Sequence, residues 1–415
     1  MSSLKVLVVG AGLGGLCLAH RLRRADIEVQ IFERDASPWE RPQGYRLHLD
    51  AEGVNALRES LPPSHYALFE ATSMRPVDST TILDTSLHEL RRVASDEHGS
   101  TQGQVAADGR PIHVNVDRAI LRRILLTDLA DICHFNMRLE RYEDNADGVT
   151  AVFRDGSVVR GDVLVGADGI LSTVRKQRLP EAQTVDAGLR AIYGRIPLRQ
   201  AVGVVPVQAL KDVFTIATDA RKVFLGLGPV VFPTRPNHAS RDLLPQADLP
   251  AQEDYVACLV GGRTELFGDD VADLRVASSG ALQRRAIEML AEWPAAASEI
   301  LTLADPDAFF FVEMYTSVPL AMPRRGRVTL VGDAIHAMTP TLGRGANLAM
   351  RDGAMLGRSI AAVQRGVETF EGALASYEAE MTLYGFDVVR KAAAMGERLV
   401  GQNQLPRESG RAVPS

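Results

Sequence analysis

The chain has 415 residues, 46% of them hydrophobic and 24% charged, so it can bury a sizeable core and has the length of two or three domains. Its formal net charge of −6, with arginines dispersed among acidic residues, excludes nucleic acid as the expected partner. Three widely separated cysteines and the lack of an uninterrupted apolar run of about 18 residues lead us to expect a cytoplasmic protein with no metal centre and no membrane partner.

The chain begins with a predicted βαβ unit. The apolar run LKVLVVG indicates a buried strand, LGGLCLAHRLRRADI indicates a helix, and EVQIFERD indicates a second strand. After the first strand, Gly10 permits a tight turn, Gly12 lets a pyrophosphate approach the backbone, and Gly15 allows the helix to pack close to the strand. Glu33 ends the second strand, where it can accept hydrogen bonds from ribose hydroxyls. This combination predicts a dinucleotide site.

The acidic residue also indicates which dinucleotide is bound. A carboxylate at Glu33 would repel a 2'-phosphate, so we expect FAD or NAD at this site rather than NADP. Arg34 follows directly and would change this expectation only if Glu33 turned away.

The next segment predicts further α/β structure and a second motif. Apolar spacing indicates helices over residues 53–59 and 118–130, and two strands flank a turn at Asp155-Gly156. The apolar strand at residues 163–165 can rejoin the parallel sheet, and Asp168-Gly169 follows it in a loop that can reach a cofactor. Taken alone, an Asp-Gly pair is more often a simple turn.

The middle of the chain changes character. Over residues 182–318, β-rich runs such as RAIYGRIPL, YVACLVGG and FFFVEMYTSV alternate with turns, with one helical insert around residues 281–293. We expect these runs to form an antiparallel sheet in a second domain. RVTLVGD then returns to the parallel-strand pattern, so the first domain is predicted to be discontinuous in sequence.

A third motif follows that last strand. Asp333 comes where a carboxylate can hold a polyol hydroxyl, Pro340 fixes a turn, and LGRGAN brings bare backbone to the start of a helix. The alternative is a glycine-rich loop in which Asp333 only caps its own helix. A further helix is predicted over residues 373–400, and residues 401–415 are expected to form a frayed polar tail.

These elements predict an α/β fold with some α+β character. A Rossmann-like dinucleotide-binding domain is expected from residues 1–181 and 319–400, with an inserted antiparallel β-sheet domain at 182–318 that binds substrate. C-terminal helices and the polar tail complete the chain.

The three motifs, in this order and at these wide separations, resemble those of the flavoprotein aromatic hydroxylases. These are single-component FAD monooxygenases typified by para-hydroxybenzoate hydroxylase and salicylate hydroxylase, and the resemblance runs from about Leu4 to Val400. It implies that the first domain binds FAD. The residues implied in cofactor binding are Gly10, Gly12, Gly15, Glu33 and the adjacent Arg34 for the ADP half, Arg46 and Arg118 for further contacts with FAD, Asp168 and Gly169 for FAD and NAD(P)H, Gly332 and Asp333 for the ribityl and pyrophosphate portion, and Gly343, Gly345, Ala346 and Asn347 beside the isoalloxazine.

The chain departs from the family at Arg344, where the family commonly has Gln between two glycines. An added positive charge at this position could favour a reduced anionic flavin, assist an acidic substrate or point to solvent. The sequence leaves these three alternatives open.

The resemblance implies an FAD-dependent monooxygenase, active as a monomer or homodimer. In such an enzyme NADH or NADPH reduces FAD, O2 adds to give a flavin C4a-hydroperoxide, and one oxygen atom passes to an aromatic or polycyclic small molecule. Hydroxylation is the expected outcome, with epoxidation and Baeyer-Villiger oxidation as alternatives. The inserted domain should form the other wall of the substrate cavity.

The candidate cavity residues are His48, Tyr193 and Pro340. His48 could act as a base on a phenol, although a lone histidine in a strand is more often packed or on the surface, and an aromatic residue such as Tyr193 is more often in the core. We expect His336, inside the third motif, to brace its turn rather than transfer protons.

Other functions are compatible with the same fold. An FAD-dependent oxidase or reductase that inserts no oxygen needs the same cofactor site. GDP-dissociation inhibitors are non-enzymatic binding proteins of similar fold, although Glu33 and Asp333 argue against that function. A flavin halogenase is disfavoured because its Trp-x-Trp-x-Ile-Pro signature is absent; the tryptophans are Trp39 and Trp293.

Overall fold

The computed structural model describes residues 4–40, 44–94 and 112–406, and residues 407–415 of the expected polar tail lie outside this described part. The strands are, in chain order, β1 (Lys5–Val9), β2 (Glu28–Phe32), β3 (Arg46–Leu49), β4 (Val77–Leu83), β5 (Glu89–Val93), β6 (Val114–Asp117), β7 (Cys133–His134), β8 (Leu139–Asn145), β9 (Gly148–Phe153), β10 (Val158–Gly161), β11 (Val163–Gly166), β12 (Thr184–Pro197), β13 (Asp212–Thr218), β14 (Phe224–Val230), β15 (Tyr255–Arg263), β16 (Phe310–Ser317) and β17 (Val328–Leu330). The helices are α1 (Leu13–Arg23), α2 (Ala51–Ser60), α3 (Pro63–Thr72), α4 (Arg118–Leu126), α5 (Thr173–Arg178), α6 (Leu198–Ala201), α7 (Pro236–Leu243), α8 (Ser279–Met289), α9 (Ala295–Thr302), α10 (Asp333–His336), α11 (Gly345–Gln364) and α12 (Phe370–Val400).

A five-stranded parallel sheet forms the centre of the first fold unit. Its strand order is β17-β11-β1-β2-β7, and every neighbouring pair is parallel. The β1 residues Val6, Leu7 and Val8 are fully buried, as expected for a strand covered on both faces. The predicted return of residues 163–165 and of RVTLVGD to this sheet is confirmed, because β11 pairs with both β1 and β17.

A seven-stranded sheet forms the second layer. Its order is β16-β12-β15-β14-β13-β4-β5, antiparallel except where β13 pairs with β4. Five of these strands, β12 to β16, come from the segment predicted to be β-rich. The other two, β4 and β5, come from before residue 182, because a sheet recruits strands by pairing and not by their order in the chain.

The C-terminal helices return to the first sheet. Helix α11 packs closely on α1, since a Cβ added at Gly14 would lie 2.7 Å from the carbonyl oxygen of Ala349. Helix α12 ends at Val400 and is followed by Gly401, which has the left-handed conformation typical of the residue after a helix. In the described part of the chain, none of the helices has both the length and the apolar character needed to cross a membrane.

The start of the expected tail is ordered, contrary to the prediction that it frays from residue 401. Gln402 is buried, its backbone N–H donates to Gly396 at 3.1 Å, and its side-chain oxygen accepts a hydrogen bond of 2.7 Å from Thr339. The glycine turn at the end of α12 directs the chain back onto the protein, which a polar composition does not reveal.

Candidate functional site

A cavity of about 1150 Å³ is lined by residues of both large sheets. This volume is above the usual range for small-molecule sites, roughly 300–1000 Å³, so it has room for a large ligand and a small one. The sequence-predicted residues in its wall are Gly10, Gly12, Gly15, Glu33, Arg34, Arg46, His48, Arg118, Asp168, Gly169, Tyr193, Gly332, Asp333, Pro340, Gly343, Gly345 and Ala346. Asn347 is the predicted residue that does not line the cavity.

The three motifs meet at this cavity although they are far apart in sequence. Gly10 presses on the second motif, because a Cβ added to it would lie 2.3 Å from the carbonyl oxygen of Ala167. Arg175, in the helix after the second motif, donates a 2.9 Å hydrogen bond to the carbonyl oxygen of Ala334 in the third. Close packing and one buried arginine therefore join the motifs into one structure.

The first glycine loop is held by two side chains from other elements. The N–H of Ala11 donates to Glu33 at 2.8 Å, and Nε of Arg122 donates to the carbonyl oxygen of Ala11 at 3.2 Å. At Gly12, no atom lies within 4 Å of the position a Cβ would take, so the backbone is open to the cavity. Arg122 was not predicted as a site residue, since an arginine in a helix gives no sign of which loop it will reach.

Asp168 caps a helix and also lines the cavity. Its Oδ1 accepts a 2.5 Å hydrogen bond from the Ser172 hydroxyl, and its Oδ2 accepts one of 2.7 Å from the N–H of Thr173 at the start of α5. Burial raises the pKa of this carboxyl, and these hydrogen bonds oppose the shift. The sequence presented a simple turn and a loop that reaches a ligand site as alternatives; the structure shows one element that caps α5 and lines the cavity.

Asp333 faces the cavity from the first position of α10. Gly332 before it has a φ of 59°, which favours glycine and turns the chain sharply at the end of β17. In the part of the chain that the structure describes, the Asp333 carboxylate has no hydrogen-bond partner. The alternative in which this side chain caps its own helix is therefore wrong. Burial raises its pKa, while His336 and Arg118 act in the opposite direction. A carboxylate that is exposed to the cavity and has no partner is suited to bind a hydroxyl-bearing ligand.

His336 braces the third motif, as predicted. Its Nε2 lies 2.6 Å from Oδ2 of Asp352 on α11, and the same oxygen accepts a 2.9 Å hydrogen bond from the N–H of Gly332. Both side chains are almost completely buried. Burial alone would lower the pKa of His336, but the Asp352 carboxylate outweighs it, so the pKa is raised.

Asn347 holds the second glycine loop from behind the cavity wall. Its side-chain oxygen accepts a 3.0 Å hydrogen bond from the N–H of Asp50, and its Nδ2 donates to the carbonyl oxygens of His48 at 3.0 Å and Gly343 at 3.1 Å. It therefore ties the loop to the end of β3, a role its place in the glycine motif did not indicate.

Arg344 is buried and does not point to solvent. Its Nε lies 3.0 Å from Oδ2 of Asp50, and its Nη2 lies 2.6 Å from both Oε2 of Glu52 and the hydroxyl of Tyr384. Burial would lower the pKa of Arg344, but these acidic neighbours outweigh it and raise it. The positive charge of Arg344 is thus neutralised by the carboxylates of Asp50 and Glu52 at the start of α2.

The remaining candidates lie toward the second sheet. Arg46 donates a 2.7 Å hydrogen bond to Asn115, and its guanidinium lies 5.5 Å from the centre of the Phe214 ring. Tyr193 stacks on Phe310, with ring centres 5.3 Å apart, and burial raises the pKa of its hydroxyl to about 12. Tyr193 therefore keeps its proton and remains a hydrogen-bond donor at neutral pH.

Two family models match parts of the chain. Residues 8–60 match an NAD(P)-binding Rossmann-like domain, which includes the first glycine loop and Glu33. Residues 283–392 match an FAD binding domain, which includes Asp333 and the second glycine loop.

Individual relatives agree with these matches. The chain is 34% identical to the dual O-methyltransferase/FAD-dependent monooxygenase elcB of Phaeosphaeria nodorum, over 96% of this chain and 46% of that protein. It is 27% identical to the FAD-dependent urate hydroxylase of Klebsiella pneumoniae, over 94% of this chain and 88% of the hydroxylase. A crystal structure of a candidate FAD-containing monooxygenase from Photorhabdus luminescens superposes with a TM-score of 0.80 at 28% identity, covering 96% of this chain and 99% of that one. The chain spans about half the length of the first of these relatives.

Proposed function

Because the chain belongs to the flavoprotein monooxygenase family, we propose that it uses NADH or NADPH and O2 to insert one oxygen atom into an aromatic or polycyclic small molecule. When bound, FAD supplies the electron transfer and the oxygen activation. The observation that supports this proposal most strongly is the single cavity that brings the three motifs together with the wall of the second sheet. Hydroxylation is the reaction we favour.

The residues around the cavity fit FAD. The open backbone at Gly12 would receive a pyrophosphate at the N-terminal end of α1, where the helix dipole favours negative charge. Glu33 is fixed beside that loop by the Ala11 N–H and retains acceptor positions for ribose hydroxyls. Asp333 would accept hydrogen bonds from the polyol, and the start of α11 at Gly345 presents N–H groups to the flavin end.

The second sheet would bind the substrate and exclude water. Ile216, Phe224 and Leu259 contribute apolar side chains to the cavity wall, which suits a largely apolar ring system. Tyr193 holds a proton on its hydroxyl and can donate it in a hydrogen bond to a substrate oxygen. These residues would orient the substrate, which is the protein's main contribution when a cofactor carries the chemistry.

The test begins with the purified protein. We expect a yellow protein that retains FAD and oxidises NADH or NADPH faster when a suitable aromatic compound is added under air. Isotopically labelled O2 should leave one labelled oxygen atom in the product. Stimulated NAD(P)H oxidation without label in the product would instead identify an oxidase or reductase, and a colourless protein that binds no FAD would contradict the proposal altogether.

The Asp333→Ala variant tests the cofactor site itself. We expect its affinity for FAD to fall by about 10 to 100-fold, because hydrogen bonds to a charged group contribute about 1.5–3 kcal/mol. The stability of the apoprotein should not decrease, since the Asp333 carboxylate is exposed to the cavity and has no hydrogen bond to lose. Asp242→Ala, at an exposed position of α7, is the matched control. Unchanged FAD affinity in Asp333→Ala would remove Asp333 from the site.

A further inference from the structure

One row of residues crosses the seven-stranded sheet from β12 to the edge strand β5. The strand register places each residue of this row directly opposite the next. Along strands β12, β15, β14, β13, β4 and β5, which are neighbours in this order, the cross-strand row consists of Tyr193, Leu259, Gly226, Ile216, Ile82 and Arg91. Neighbouring strands lie about 4.8 Å apart, so the row is roughly 24 Å long.

The cross-strand row faces the cavity. All of its members except Gly226 line the cavity wall. Residues next to the row on the same strands are almost completely buried in the core on the other side of the sheet, as are Ala217, Leu225 and Val260. Side chains alternate between the two faces of a strand, so the row and this core use opposite faces. The three aliphatic members of the row are only half-buried, and their apolar surface is available to a ligand.

The glycine of the row keeps its apolar surface continuous. A Cβ added to Gly226 would lie 2.6 Å from Cζ of Phe214 and 2.9 Å from Cδ2 of Leu259. These two side chains, which both line the cavity, therefore lie over the backbone of β14. The apolar surface passes from β15 to β13 without a gap.

The two ends of the row differ in chemistry. Tyr193 packs against the apolar cluster that contains Val400, the last residue of α12. Thr341, just before the second glycine loop, donates a 2.8 Å hydrogen bond to the carbonyl oxygen of Ala392 in the same helix. The Tyr193 end is therefore on the side of the proposed flavin site. The other end is Arg91, an exposed cation on the edge strand.

We propose that the substrate is an elongated acid that lies along the cross-strand row. Its reacting ring lies at the Tyr193 end, an apolar body follows the row across Ile216 and Ile82, and a carboxylate reaches Arg91. The inference rests on the proposed function, since it names the substrate class of the same site. A single aromatic ring would cover only part of the row, whereas a long apolar body removes the whole strip from water.

The charge at one end fixes the direction of the ligand. In the reverse orientation the carboxylate would lie against the apolar cluster at Tyr193 and Val400, where an unpaired charge is costly. Ile82 and Ile216 then determine specificity, because only a long substrate reaches them and Arg91.

The test measures binding alone, by calorimetry on the oxidised FAD-loaded protein without NAD(P)H. The probes are ω-phenylalkanoates, from phenylpropanoate to phenyldecanoate, together with their methyl esters. We expect the affinity of the acids to rise with each added CH2 by up to about fourfold, the effect of moving a methylene group out of water. In the longest members the acid should bind about fivefold more tightly than its ester, as expected for an exposed ion pair, and Arg91→Met should remove this difference.

Substitutions at Ile82 locate the apolar body on the row. Ile82→Trp places a bulky ring across the path and should weaken the long acids by at least about tenfold, with the affinity for phenylpropanoate unchanged. Ile82→Ala adds no bulk and should also weaken only the long acids, by a smaller factor. Leu90→Trp is the matched control, since Leu90 is exposed on the neighbouring strand and its side chain points to the opposite face from Arg91.

Three results would overturn the inference: an affinity that does not depend on chain length, an ester that binds as tightly as its acid at every length, or an Ile82→Ala variant that weakens long and short acids equally. These results do not depend on oxygen transfer. If the proposed function alone fails, the long acids bind as described and labelled O2 leaves no oxygen atom in any product.

Discussion

The two glycine loops of the cavity, Gly10–Gly15 and Gly343–Asn347, are held in opposite ways. The first has no polar side chain of its own and is shaped by close backbone contacts; a Cβ added to Gly15 would lie 2.3 Å from the carbonyl oxygen of Gly10. The second carries Arg344 and Asn347, whose side chains reach the start of α2 and the end of β3. The close packing of the first loop therefore depends on its glycines having no side chains, whereas the second loop is held by side chains of its own.

This difference determines how each loop should respond to substitution. A loop shaped by close contacts tolerates no added atoms at its tight positions, and the polar contacts that it receives from Glu33 and Arg122 reach only its backbone, at Ala11. A loop held by buried ion pairs and hydrogen bonds fails when one partner is removed, because the other is left buried and uncompensated. Substitutions in each loop can therefore test whether the two modes of support are real.

The largest effect is expected from Gly10→Ala. The new Cβ would lie 2.3 Å from the Ala167 carbonyl oxygen, and Gly10 has a φ of 112°, a conformation that residues with side chains rarely adopt. Backbone strain and overpacking together should lower the free energy of unfolding by roughly 3 kcal/mol or more, measured by urea denaturation. FAD retention should be lost with the fold.

Gly12→Ala is the matched control for that substitution. Nothing lies within 4 Å of its added Cβ, so the apoprotein should unfold at the same urea concentration as wild type. The methyl group would instead enter the cavity and lower FAD affinity by about tenfold. If the two variants unfold alike, close contacts do not hold the first loop and the comparison fails.

The next largest effect is expected from Arg344→Met in the second loop. The substitution leaves the carboxylates of Asp50 and Glu52 buried without their cation and should lower the free energy of unfolding by about 3 kcal/mol. Arg358→Met, on the same helix, removes a half-exposed arginine paired with Glu59 and should cost no more than about 1 kcal/mol. Equal losses in the two variants would mean that ion pairs do not hold the second loop.

The same contrast explains which parts of the site could be predicted from sequence. The first loop, the strand before it and Glu33 form one local pattern, and the structure places them together. The parallel strands β1, β11 and β17 were also predicted, because strands buried on both faces are apolar runs that local composition reveals. Local composition was enough for features that a single segment of the chain shows by itself.

The remaining features depend on partners that the sequence does not bring together. Arg344 bonds to Glu52 across 292 positions of the chain, so its burial could not be read from the glycine motif. Asp352 resembles a solvated helix residue by sequence, yet it is fully buried beneath Gly332. Strands β4 and β5 likewise join the second sheet through pairing with β13 and with each other. Long-range pairing, and not residue type, determines all three.

The smallest expected effect concerns the brace that His336 and Asp352 form beneath Gly332, in the motif that leads to the second loop. The pKa of His336 is raised above its ordinary value of 6.5, so the proton is bound more tightly in the folded state than in the unfolded state. Its contribution to stability is therefore complete below pH 6.5 and is lost as pH rises through the higher folded pKa. His336→Asn should be less stable than wild type by about 2 kcal/mol near pH 6, with a smaller difference at higher pH. His65→Asn should show the opposite pH dependence. Burial lowers the pKa of His65, so the stability that its neutral side chain contributes to the folded protein is lost as pH falls. Urea denaturation of the three proteins between about pH 5 and 8 should give opposite slopes for the two differences; a pH-independent difference for His336→Asn would show that the brace acts by shape alone, as the contacts of the first loop do.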